Sequence, residues 1–226
     1  MKRFVDIWIC DEEMRQYDSV QCLPPPLKCS SDVFNRWEGY AQEKITPPGN
    51  NYRMDERILD HLLAMAGDDD CVYNYILNWI ASIIQFPGTK TKIMLIVMSP
   101  EKGTGKGIFG QLLQSLFGME YCLHKSNPIR ELFGNFNTAL NDKLLVSIDE
   151  LNQKTMDDIC EDLKSLVTEP YQNINAKYQS LDESRPSFTN VIIFTNRFLK
   201  SEHGDRRPVY LCTSNRLKGN THHFNW

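Results

Sequence analysis

Hydrophobic positions along the chain follow two rhythms. Between residues 54 and 86 they recur at helical spacing, with Ile58, Leu59, Leu62, Leu63 and Met65 on one stripe and Val72, Tyr75, Ile76, Trp79, Ile80 and Ile83 on a second. Asp68, Asp69 and Asp70 precede the second stripe, where the positive end of a helix dipole favours acids, and the sequence FPG at 86–88 stops it. Beyond residue 92 the pattern changes to short apolar runs between polar stretches. IMLIVM (93–98) is almost wholly apolar, as a parallel strand covered on both faces requires. KLLVSID (143–149) and NVIIFTN (190–196) read as two more such strands. Two helices are predicted between them. Ile108, Phe109, Leu112, Leu113, Leu116 and Phe117 line the inner side of the first, with Gly118 as its stop. Met156, Ile159, Leu163, Leu166 and Val167 line the second, with Thr155 as its cap.

Before residue 54 the pattern is broken. Phe4 to Cys10 reads as extended, LPPPLK (23–28) as a rigid turn, and TPPGNN (46–51) as a breaker that ends the segment. Three units are expected: an N-terminal extended or collar segment at 1–50, a helical collar at 51–88, and an α/β domain at 89–226. No internal repeat or low-complexity tract interrupts them.

The link between the first strand and its helix carries the chemistry. SPEKGTGKGIF (99–109) approximates the phosphate-binding pattern G-x-x-x-x-G-K-[ST], with Pro100 where glycine is usual and Gly107 where a hydroxyl is usual. Gly103, Gly105 and Gly107 let the backbone turn its N–H groups inward, Thr104 lies between them, and Lys106 adds a mobile charge for the β and γ phosphates. A glycine turn with a solvated lysine is the alternative. The hydroxyl missing at Gly107 normally ligates Mg²⁺; a water can take that place, because the ion keeps several waters in any case. Asp149 and Glu150 end the second strand, where an aspartate can hold hydrated Mg²⁺ and a glutamate can polarise the attacking water; acids in a solvated loop after a strand are the alternative, which the position downstream of the phosphate loop disfavours. Asn196 ends the third, where its amide can contact the γ-phosphate; asparagine at a strand end is also a common turn former. Gly204-Asp205-Arg206-Arg207 offers two guanidinium groups, to be read as an arginine finger or as a solvated basic loop. The segment 171–188 (YQNINAKYQSLDESRPSF) has the alternation of a hairpin displaying Lys177 and Tyr178, suited to the phosphates and base faces of a single strand or equally to an ordinary surface. His222 and His223 lack a third ligand and read as tail residues.

Composition narrows the classes. With 226 residues, 41% of them hydrophobic, the chain can bury a core, and a net charge of -4 means that any nucleic-acid contact is focused rather than spread over the surface. Five basic residues against two acids between 200 and 218 form the only notable local charge. Seven scattered cysteines without paired spacing suit a reducing compartment, and the opening MKRFVDIWIC is interrupted by Asp6 and followed by acids, unlike a signal peptide. A cytoplasmic, non-secreted protein without membrane spans is expected.

Taken in order, EKGTGKG, ELFGNFNTALNDKLLVSIDE, DLKSLVT, NAKY, IIFTN and GDRR resemble the superfamily 3 helicases, specifically the virus- and phage-type primase-helicase branch with its poxvirus-like C-terminal ATPase domain. FNRWEGYA and YILNWIASIIQFPG upstream also look like that branch. The resemblance implies an AAA+-like P-loop core with a parallel sheet, preceded by a small helical collar and assembled as a homo-oligomeric ring, usually a hexamer, with ATP between subunits. It implies Lys106 on phosphate, Asp149 and Glu150 as the metal and water pair, and Asn196 as sensor. It further implies Lys177 in a hairpin that touches DNA, and Arg206 or Arg207 reaching a neighbour's ATP. The expected activity is ATP-driven helicase or translocase action on single-stranded or forked DNA in replication of a virus, phage or mobile element. A packaging or loading motor is the alternative. Family members carry a primase or polymerase domain upstream and further sequence downstream, so a fragment or a reduced version is expected here.

Overall fold

The computed structural model describes residues 4–44, 55–134, 136–175 and 183–224. The regular elements in chain order are α1 (Phe4–Ile9), β1 (Ser19–Gln21), β2 (Val33–Asn35), α2 (Glu56–Met65), α3 (Asp70–Gln85), β3 (Met94–Met98), α4 (Lys106–Phe117), β4 (Cys122–Lys125), α5 (Pro128–Glu131), β5 (Leu145–Asp149), α6 (Gln153–Thr168), β6 (Tyr171–Ile174), β7 (Glu183–Pro186), β8 (Asn190–Thr195) and β9 (Pro208–Cys212).

Five strands form one parallel sheet in the order β4-β5-β8-β3-β9. The apolar runs of the sequence supply its three central members, and alternation along each sends side chains to two faces. Leu95, Val97, Leu145, Ile192 and Phe194 pack with α2, α3 and α4 in one core cluster. Met94, Ile96, Val146, Ile148, Val191 and Ile193 pack with α6 in the other. The two helices before the sheet therefore share a continuous core with it. No described helix is long and apolar enough to cross a membrane.

Four strands are not foreseen in the sequence: β1 and β2, which pair parallel with each other, and β4 and β9, the two edges of this sheet. In CLHK two of the four residues are polar, as suits an edge that is covered less completely, whereas PVYLC is as apolar as the central strands and opens on Pro208, whose missing N–H costs no ladder bond at an edge. Phe4–Ile9 is helical rather than extended. Among the described residues no strand pairs with it, so an extended backbone there would have no ladder partner. Asn152, not Thr155, caps α6: its side chain accepts the Thr155 N–H at 3.0 Å, which places Thr155 inside the first turn. Asp69 accepts from the N–H groups of Cys71 and Val72, so the acid run ahead of α3 works as a hydrogen-bonding cap. The breaker TPPGNN lies outside the described residues.

The topology fixes where ligands gather. From β3 the chain runs to the far edge at β4, returns through β5 and β8, and then passes β3 to reach β9. The C-terminal end of β3, between β8 and β9, is thus the point where the connections part to either side, and open α/β sheets bind ligands at such a point.

Candidate active site

The loop that leaves β3 is held tightly. Ser99 donates its N–H to the Thr195 carbonyl at 3.1 Å and its hydroxyl to the Glu101 carbonyl at 2.8 Å. Gly103 and Gly105 then take φ angles of 78° and 94°, which side-chain-bearing residues rarely adopt. Gly105 is doubly constrained, because a Cβ there would lie 2.7 Å from His61 Nε2 and 2.9 Å from the Phe224 ring. Its carbonyl lies 3.2 Å from His61 Nε2 on α2, and burial holds the His61 pKa down to about 4, so the imidazole is neutral. The next residue, Lys106, begins α4 and lies at the positive end of that helix. A Cβ on Gly107 would meet nothing within 4 Å, so the vacant hydroxyl position is open space.

Four chemically active side chains converge on a cavity of about 110 Å³ beside the loop: Lys106, Asp149, Glu150 and Asn196. Lys106 donates to Asn196 Oδ1 at 2.7 Å. Burial pushes the Lys106 pKa down, and Asp149 pulls it back up. Burial raises the Asp149 pKa; His124 opposes that shift and Glu150 adds to it. The His124 Nε2 atom stands 3.2 Å from Asp149 Oδ2, and its Nδ1 stands 2.9 Å from Ser147 Oγ. Neither His124 nor Ser147 has a recognisable motif; adjacency of β4 and β5 brings them in. Glu150 has a φ of 54°. A non-glycine residue in that region carries about 1–2 kcal/mol of strain, and such strain gathers at functional positions.

A larger cleft of about 560 Å³ runs on from this point along the loop and α4. Its outer wall is a segment that sequence reading passed over as a tail. Gly219 donates its N–H to the Gly103 carbonyl at 3.2 Å, Lys218 pairs with Glu101, and Asn215 donates to Glu101 Oε1 at 3.1 Å. Arg216 binds Asp60 at 2.6 Å and Asp68 at 2.5 Å, tying the same segment to α2. His223 is buried, with Nδ1 3.8 Å from Asp60, so it is a packed residue of this wall. The acids that anchor the segment lie over a hundred residues upstream, and no local signal announces them.

The arginine pair is elsewhere. Met94 donates its N–H to the Arg207 carbonyl, so both arginines lie at the end of the sheet opposite the loop. Arg207 pairs with Asp205 at 3.0 Å. Arg206 is exposed and makes no hydrogen bond or ion pair among the described residues. The strands β6 and β7 pair antiparallel, with Tyr171 opposite Pro186, and Asn137 bonds β6 at the end away from Tyr171, donating to the Asn173 carbonyl and accepting from the Asn175 N–H. Lys177 and Tyr178, the DNA-contact candidates, lie outside the described residues.

A parallel five-stranded sheet with a glycine-rich loop feeding a helix N-terminus at its switch point defines a P-loop NTPase fold. Residues 97–207 match a family of unknown function (DUF5906). The apo structure of the NrS-1 C-terminal region (305–718) superposes with a TM-score of 0.73 at 26% identity, covering 89% of this chain and 48% of that one. Its A form gives a TM-score of 0.73 at 25% identity over 88% of this chain and 48% of that one. A weaker likeness, TM-score 0.45 at 14% identity over 75% of this chain and 48% of that one, is to JCV helicase with a bound small molecule, and it carries no argument. The chain spans about half the length of the solved chains it matches. No curated protein matches it.

Proposed function

We propose that the chain is the ATPase core of a superfamily 3 type DNA helicase or translocase, working in the cytoplasm in replication of a virus, phage or mobile element. The observation that carries this reading is the convergence of Lys106, Asp149, Glu150 and Asn196 on one cavity at the C-terminal edge of the parallel sheet. ATP lies along the loop, with the inward N–H groups and Lys106 on its phosphates. Glu150 orients and polarises a water, and Asn196, already within hydrogen-bond reach of Lys106, positions the terminal phosphate.

The donor set fits Mg²⁺, which takes one or two carboxylates together with phosphate oxygens and waters. Asp149 supplies the carboxylate, and the open space at Gly107 leaves room for a water where a hydroxyl is usual. Bound there, the ion neutralises charge on the phosphates. His124 fixes one Asp149 oxygen and leaves the other for the ion or its waters.

Copies form a ring, a hexamer by family resemblance, in which Arg206 of one subunit reaches its neighbour's ATP. The hairpin carrying Lys177 and Tyr178 contacts single-stranded DNA, and a primase or polymerase acts beside the ring.

The test is ATP turnover by the purified chain with and without single-stranded DNA, beside Lys106→Ala. Turnover that rises with DNA and falls on the order of 10³-fold in the variant is expected, the loss reflecting removal of the main cation on the phosphates. Turnover indifferent to DNA would overturn the helicase reading and favour a motor of another class. Turnover indifferent to Lys106→Ala would overturn the ATP site.

A further inference from the structure

His61 is wholly buried on α2 beside Leu62, Ala64 and Met65, where an apolar side chain would pack without the cost of desolvating an imidazole. Its ring stands edge-on to Phe109 of α4, with centroids 6.5 Å apart, and to Phe224 at 5.2 Å. Burial keeps it neutral, so it carries one N–H. A carbonyl can only accept, and the 3.2 Å contact of Nε2 with the Gly105 oxygen therefore places that proton on Nε2. The helix that holds His61 is itself tied down, by Arg216 on Asp60 and Asp68 and by the Ser214 N–H on the Ala64 carbonyl at 2.8 Å.

Gly105 is the N-cap of α4 and has no side chain to cap with. Its oxygen accepts the Phe109 N–H at 3.0 Å, and His61 supplies the second donor that a carbonyl with two lone pairs can take. The other end of the same peptide unit is the Lys106 N–H, which opens α4 and has no partner within the helix. A trans peptide is planar, with its C=O and N–H on opposite sides, so whatever fixes the Gly105 oxygen also fixes the direction of the Lys106 N–H. Glycine at a φ of 94° supplies no stiffness of its own. We infer that His61 is a positioning residue of the phosphate loop: from α2 it holds the Gly105–Lys106 peptide so that the Lys106 N–H faces the phosphates of a bound nucleotide. This inference rests on the nucleotide reading of the loop.

A role in packing alone predicts something different. Leucine is close to histidine in volume, and the Gly105 oxygen keeps its bond from Phe109 when His61 is gone, so His61→Leu is expected to unfold at no lower urea concentration than the parent. Affinity for ATP and for inorganic tripolyphosphate, measured calorimetrically on the full chain with Mg²⁺ present, is expected to fall in that variant by about five- to tenfold, the worth of one well-directed hydrogen bond. The two ligands fall alike because the Lys106 N–H acts on phosphate. His61→Gln, whose amide nitrogen reaches as far as the imidazole Nε2, is expected to return both to within about twofold of the parent, and His61→Asn, one methylene shorter, is not. Unchanged affinity in His61→Leu, loss of ATP affinity with tripolyphosphate unaffected, or affinity that falls in step with the urea midpoint in all three variants would overturn the positioning role. Should His61→Leu fail to fold, the amide pair decides, since the two differ in reach and not in chemistry: equal affinity in both would overturn the inference. A parent chain that binds neither ligand would overturn the nucleotide reading itself, an outcome distinct from the others.

Discussion

The two ends of the parallel sheet are built on opposite terms. At the C-terminal end several charged side chains around the loop have partners within the same chain, Lys106 with Asn196, Asp149 with His124, Glu101 with Lys218, and Arg216 with Asp60 and Asp68, while Lys102 and Glu150 make no side-chain hydrogen bond or ion pair among the described residues. At the N-terminal end Arg206 is exposed and has none among the described residues. The length of β3 separates them, about 16 Å at 3.3 Å per residue, and an arginine side chain does not span that. Whatever Arg206 does to a phosphate, it does to one held by another molecule.

The sharpest way to break this comparison is to remove each end in a different subunit. Arg206→Ala should lower ATP turnover on the order of 10³-fold, the scale at which arginine fingers act. Mixing it with Lys106→Ala, whose loop is dead but whose Arg206 is intact, should restore measurable turnover. Arg207→Ala should cost less, because Arg207 is already engaged with Asp205. Turnover within about twofold of the parent in Arg206→Ala, or loss never rescued where subunits demonstrably exchange, would show that the second end has no part in hydrolysis.

A smaller effect belongs to the cleft end alone. Glu150→Gln should reduce turnover on the order of 10²-fold or more while leaving ATP affinity within about twofold, since the amide still bonds a water but is a poor base. The strain at Glu150 adds a second readout. Glu150→Gly should raise unfolding stability by about 1 kcal/mol while abolishing the same step, because glycine accepts a φ of 54° freely. A glycine variant no more stable than the parent would mean that the backbone there is not held against its preference.

The contrast between the ends also explains what the sequence disclosed. Central strands are covered on both faces, so β3, β5 and β8 appear as apolar runs, and the loop and acids at their ends appear with them. The edge strand β4 is half polar and has no comparable run, whereas β9 has one, Val209–Cys212, but opens on a proline, which reads as a turn rather than as the start of a strand. With β4 unseen, His124 could not be placed beside Asp149. The segment 214–224 was illegible for another reason: Arg216 and Lys218 registered as local positive charge, whereas their partners Asp60, Asp68 and Glu101 are remote in sequence and near only in the fold. Phe4–Ile9 shows the converse, a short apolar run, broken only by Asp6, that reads as extended but has no strand to pair with among the described residues.

The mildest substitution probes the cleft end without disturbing it. A serine at Gly107 adds a Cβ that meets nothing within 4 Å, in the first turn of α4, where serine is slightly the better helix residue. Fold stability should therefore stay within about 0.5 kcal/mol of the parent. The new hydroxyl would stand where Mg²⁺ ligation is usual, so the Mg²⁺ concentration at half-maximal turnover should fall by about threefold, the worth of one neutral oxygen replacing a water. Rescue of Arg206→Ala by mixing should be unaffected when the partner subunit also carries Gly107→Ser, since the substitution and the arginine act at opposite ends of the sheet. An unchanged Mg²⁺ titration would mean that another group already serves the ion. Thr104 is the residue to examine next, because its Oγ1 is buried in the loop without a hydrogen-bond partner among the described residues.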